Sequence, residues 1–175
     1  MVRAKRELLL LRHGKSDWPA GVGDFDRPLK RRGKRASQRI GRWLLDNDLA
    51  PDFVMSSPAR RAIATACRVC EAIGFPGDKI VENKDVYLAE LETLLAIVRR
   101  LPDDASRVMI VGHNPGLEEL LAALSESVVS PFDESGRMPT CALAVLRIPG
   151  DWKEVAPQSA SLLALIRPRG LPQKD

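Results

Sequence analysis

Leu8-Leu9-Leu10-Leu11 runs straight into Arg12, His13 and Gly14, and no other stretch restricts the fold as much. A short, continuously apolar run reads as a strand, here Glu7 to Leu11, buried on both faces. Such a strand belongs in a sheet covered by helices on both sides. Open α/β sheets bind ligands beyond the carboxyl ends of their strands, which is where this run turns cationic. Gly14, with no Cβ, is expected to let a ligand approach the backbone beside His13.

The pattern recurs along the chain. Phe53-Val54-Met55 gives way to Ser56-Ser57-Pro58, and Val108-Met109-Ile110-Val111 gives way to Gly112-His113-Asn114-Pro115-Gly116. Helical spacing separates these strands. Ala36, Ile40, Trp43 and Leu44 mark a helix that begins around Gly33 and is ended by Pro51. Ala59, Ala62, Ala66, Val69, Cys70 and Ile73 mark a second helix, with Ser57 as its expected N-cap and Pro58 at its first position. Leu91, Leu94, Leu95, Val98 and Leu101 mark a third. Leu117, Leu120, Leu121 and Leu124 mark a fourth, capped by Asn114 and opened by Pro115. Ser16 to Pro28 is a loop long enough to fold over a site, and Ser125 to Thr140 is another. A short strand is expected at Lys79 to Val81, and two closing strands at Ala142 to Ile148 and Ser161 to Ile166, with a turn through Pro149-Gly150 between them. The fold class is therefore α/β: a single three-layer domain, residues 1–175, with a mostly parallel central sheet covered by helices on both faces.

Composition narrows the function classes. At 45% hydrophobic content, 175 residues suffice for one core. No apolar run approaches the roughly 20 residues that cross a bilayer, and the charged start, Met1 to Glu7, does not follow a signal-peptide pattern. Three cysteines give no disulfide framework, so a cytoplasmic protein with no membrane association is expected. The net charge of +4 owes much to Lys30, Arg31, Arg32, Lys34, Arg35, Arg39 and Arg42. Without interleaved aromatics this cluster reads as a solvated helix face, and no nucleic-acid partner is expected. Cys67 and Cys70 have redox or zinc spacing but sit within a predicted helix with no second pair nearby. Asp17, Asp24 and Asp26 have a spacing common in loops, so neither a metal nor any other cofactor is expected.

Both of the chain's histidines directly follow apolar strands. Arg12 accompanies one, and Arg60 and Arg61 lie in the first turn, or just beyond it, of the helix after Ser57. A cation there opposes the helix dipole, which points to an anionic ligand nearby. Two guanidinium forks suit phosphoryl oxygens, and an imidazole, neutral above about pH 6.5, can attack phosphorus.

Arg12-His13-Gly14, Ser57-Pro58-Ala59-Arg60-Arg61-Ala62 and Val111-Gly112-His113 resemble the histidine phosphatase superfamily. The short length, Lys15-Ser16-Asp17-Trp18 and Asn114-Pro115-Gly116 are similar to its small SixA-type branch. The resemblance implies a phosphoglycerate mutase-like fold, with His13 as the phosphate-accepting residue and Arg12, Arg61 and His113 as the phosphate pocket. Ser16 joins Arg12, Arg61 and His113 as an expected substrate contact. Arg60 is expected in solvent, since neighbouring helical side chains point about 100° apart. The implied function is hydrolysis of phosphohistidine on a partner protein through a phosphorylated His13. A phosphatase for small monoesters or other phosphorylated side chains, and a non-catalytic phospho-ligand-binding module, are the alternatives. Larger members carry a carboxylate acid with no clear counterpart here; Asp17, Asp24, Asp85 and Glu90 are the candidates. The resemblance leaves the oligomeric state open.

Overall fold

A computed structural model describes residues 5–172; most of the charged start considered for targeting, residues 1–4, lies outside them. Six strands form one sheet: β1 (Arg6–Arg12), β2 (Phe53–Ser56), β3 (Val81–Glu82), β4 (Arg107–Gly112), β5 (Leu143–Ile148) and β6 (Ser161–Ile166), in the order β3-β2-β4-β1-β5-β6. The first four run parallel, and β5 and β6 close the sheet antiparallel. The helices are α1 (Arg31–Asp46), α2 (Arg60–Ile73), α3 (Leu91–Arg99) and α4 (Gly116–Leu124).

Strand alternation sorts the leucine run onto two cores. Leu8 and Leu10 face α3 and α4 with Val108, Ile110 and Trp152. Leu9 and Leu11 face α1 and α2 with Val54, Met109 and Val111. Burial on both sides is thus why β1 is continuously apolar. The basic residues at 30–35 and Arg42 are exposed along α1 and just before it, with Arg39 half-buried. No described helix is long and apolar enough to cross a membrane.

Several local expectations need correction. Helix α1 starts at Arg31 and stops at Asp46, before Pro51. The edge strand is Val81–Glu82, following a 3-10 turn at Gly77–Lys79. Pro149-Gly150 does not make a tight turn. The chain from β5 to β6 detours to bury Trp152 completely, with its Nε1 donating to Ala105 O at 2.9 Å. The space where a Gly14 Cβ would lie is filled by Gly33 backbone at 3.0–3.3 Å, not left for a ligand. Gly33 is tighter still, since its Cβ would lie 2.3 Å from Lys15 O. This pair of glycines lets α1 pack directly on the end of β1.

Candidate active site

Three strand ends converge at the carboxyl edge of the sheet. His13 follows β1, with its N–H donating to Gly112 O at 3.1 Å. His113 follows β4, and Ser57 follows β2 with its N–H on Val111 O at 2.9 Å. Strand register therefore places both histidines, and their ring centroids lie 5.2 Å apart. Arg61 comes up from α2 almost completely buried. Its Nε donates to His13 Nε2 at 3.2 Å, and its Nη2 lies 3.3 Å from His113 Nδ1. Arg60 is exposed.

These contacts determine both ring tautomers. Gly14 O can only accept, so His13 Nδ1, 2.8 Å away, carries the proton, and Nε2 keeps its lone pair toward Arg61. A guanidinium can only donate, so His113 Nδ1 accepts from Arg61, and Nε2 holds the proton toward Ser57 Oγ at 2.8 Å. Burial above all, then the charges of Arg61, Arg12 and Arg27, brings His13 down to about 4. Burial, followed by His13 and Arg61, brings His113 down to about 3. Both imidazoles are neutral at physiological pH.

Ser57 is not an N-cap. Ala59 occupies that position with no side-chain cap, while Ser57 Oγ accepts from Ala59 N–H at 3.2 Å and holds His113. Asn114 does not cap α4 either; Pro115 precedes Gly116, and Asn114 Nδ2 donates to Met138 O at 2.9 Å. Arg12 stands at the rim half-buried, with Nη1 on Met138 O at 3.0 Å and no direct bond to either histidine. Burial lowers its pKa first, opposed by Glu118 and aided by Arg61. Ser16 is buried, but its Oγ accepts from Arg27 Nη2 at 2.7 Å and does not bond to His13.

The loop between Ser16 and Pro28 folds over the site through Asp24. Arg61 Nη1 donates to Asp24 O at 2.5 Å, and Nη2 donates to its carboxylate Oδ2 at 3.0 Å. Tyr87 Oη donates to the same Oδ2 at 2.6 Å, and Arg27 Nη1 lies 3.1 Å from Oδ1. The Tyr87 hydroxyl, with help from Arg61 and Arg27, holds the Asp24 carboxyl at about 2. Of the other acids, Asp17 pairs with Lys30 at 3.4 Å, and Asp85 and Glu90 are exposed. Among the described residues, no three His, Cys, Asp or Glu side chains gather as a metal-holding group.

Sequence reasoning missed Tyr87, Arg27 as a site cation, and Thr65, whose hydroxyl joins Gly14 N–H (2.9 Å) to Arg61 O (2.7 Å). Tyr87 is the chain's only tyrosine, yet no local pattern distinguishes it from an ordinary rim aromatic.

A family model for histidine phosphatase superfamily branch 1 matches residues 8–86. An uncharacterised Mycobacterium tuberculosis protein, Rv1276c, is 35% identical over 163 residues, covering 91% of this chain and all of the relative. The candidate phosphohistidine phosphatase SixA of Nakamurella multipartitia superposes with a TM-score of 0.78 at 28% identity, covering 94% of this chain and 96% of that one. Its counterpart from Agrobacterium tumefaciens gives 0.75 at 29% identity, with coverage of 93% and 97%.

The chain belongs to the histidine phosphatase superfamily.

Within that superfamily it is SixA-like, with the phosphoglycerate mutase-like fold, and its expected activity class is that of a phosphatase.

Proposed function

We propose that this chain is a phosphohistidine phosphatase that works through a covalent phosphohistidine on His13. The observation that carries the reading is the tautomer of His13: Gly14 O holds the Nδ1 proton, so Nε2 presents a lone pair between Arg61 and His113. The lone pair attacks phosphorus while the bond from phosphorus to the substrate imidazole breaks, with its electron pair returning to the leaving nitrogen. Arg61 and Arg12 take the phosphoryl oxygens, and their fixed charge stabilises the transition state. His113, held by Ser57, sits beside the same group. Water then attacks the phosphorus on His13, releasing inorganic phosphate and restoring the imidazole.

The substrate class follows from the acids. An alcohol leaves as a poor alkoxide unless a neutral acid protonates it. Asp24 is the candidate acid that reaches the site, and at about 2 it is ionised at working pH. A phosphoramidate nitrogen needs no such donor, because an imidazole protonated at its far nitrogen departs neutral. The partner is accordingly a protein carrying phosphohistidine, in a cytoplasmic setting consistent with three free thiols.

The test is rapid-quench labelling with a ³²P-phosphohistidine protein. The label should pass transiently to His13, accumulate in His113→Ala and be absent from His13→Ala. Wild-type turnover of phosphohistidine with no label ever trapped on His13 would refute the covalent route.

A further inference from the structure

His13, Arg61 and His113 are buried and form the floor of the candidate site, and a different, more exposed set of residues packs against them as its mouth. Arg61's side chain is 3% exposed, whereas that of Asp24, bonded to it, is 33% exposed. Phe25, next on the same 3-10 turn, is 41% exposed, and its ring meets the Tyr87 ring edge-on at 5.2 Å and 81°. Tyr87 in turn packs edge-on against His113 at 5.4 Å. A carboxylate and two aromatic rings thus stand together, in contact with the buried Arg61 and His113.

In-line displacement puts the leaving group on the side of phosphorus opposite the nucleophile. With His13 on the floor, that side is the mouth. We propose that Asp24, Phe25 and Tyr87 form a leaving-group subsite for a flat cationic ring, the protonated imidazole of phosphohistidine. The inference rests on the phosphohistidine reading above and assigns residues to its specificity.

Two features of the mouth suit that ligand. A carboxylate has roughly four lone-pair positions, and Arg61, Arg27 and Tyr87 use three of them. One position remains for the N–H on the far nitrogen of an imidazolium. Aromatic rings attract a cation placed on their faces. An ester leaving group is neutral or develops negative charge, so it gains nothing from the carboxylate.

The experiment compares kcat/KM for a phosphohistidine peptide with kcat/KM for p-nitrophenyl phosphate in the wild type, Asp24→Asn and Phe25→Leu. The ratio of the two should fall about two- to fivefold in each variant, the size of one exposed cation–π contact. Asp24→Asn also disturbs the partner of Arg61, but such a structural effect lowers both substrates together and leaves the ratio unchanged. Phe25 meets the site through its ring contact with Tyr87, so Phe25→Leu leaves the Asp24–Arg61 bond in place and provides the independent arm. If the wild type hydrolyses phosphohistidine and the ratio stays constant in both variants, the subsite is wrong and the phosphatase reading stands. If the wild type does not turn over phosphohistidine at all, both fall.

Discussion

Arg61 and His13 meet through a single hydrogen bond, Nε to Nε2 at 3.2 Å, from different elements of the fold. The proposed oxyanion clamp therefore touches the lone pair proposed to attack. Thr65, one turn along α2, fixes that contact by accepting the Gly14 N–H and donating to Arg61 O. The position of the histidine is set by the packing of one helix on one strand end.

Arg61→Ala should lower kcat/KM by about 10²-fold or more, as for the loss of one transition-state donor. Arg60→Ala, at the exposed neighbouring position, should stay within about twofold, because surface changes remote from the site are nearly neutral. Steady-state kinetics on both variants decide this. The reverse order would show that the wrong arginine has been assigned to the pocket.

Ser57→Ala removes the acceptor for His113 Nε2–H in a fully buried setting. An unpaired buried donor costs about 1–3 kcal/mol, so urea unfolding should show a loss in that range. The rate should fall as well, since His113 is no longer held in place. Unchanged stability together with unchanged rate would mean that the bond positions nothing.

Stability should depend on pH through the two histidines. Each has its folded pKa pushed below the ordinary 6.5, to about 4 for His13 and about 3 for His113, so the unfolded chain binds more protons across that window. Stability is then complete above about 6.5 and is lost as the pH falls toward the folded values. From pH 6.5 to 5 the pair should cost a few kcal/mol in total. Asp24 does not contribute there, because its depressed pKa takes effect only below 3.8. Denaturant unfolding of the wild type and of a His13→Gln, His113→Gln double variant should show the slope in the former and its loss in the latter.

Gly33→Ala sets helix propensity against sterics. Alanine gains about 1 kcal/mol in a helix interior, but its Cβ would lie 2.3 Å from Lys15 O and 2.8 Å from Lys15 N. Overpacking against backbone costs about 1–3 kcal/mol or more, so sterics should win. A lowered thermal midpoint is expected, with activity reduced because Lys15 follows His13-Gly14; a raised midpoint would contradict the close packing.

The sequence by itself determined the strands, their two-sided burial and the polar residues at their ends. Each of these rests on a spacing of 2 or 3.6 residues that local geometry imposes, and a residue at a strand end cannot be far from the neighbouring strand ends. The resemblance to the family's motif, not periodicity, separated Arg61 from Arg60. Only the tertiary structure decided where side chains without a period go. Asp24 sits in a loop where nothing local distinguishes it from Asp17 or Asp26, and its destination depends on α2 presenting Arg61 37 residues later. Ser57 looked like a helix cap because capping chemistry is local, yet a histidine 56 residues away claimed its hydroxyl. Gly14 looked open to a ligand until Gly33 filled the space. Periodicity records which face of an element is buried, and long-range contacts choose the partner.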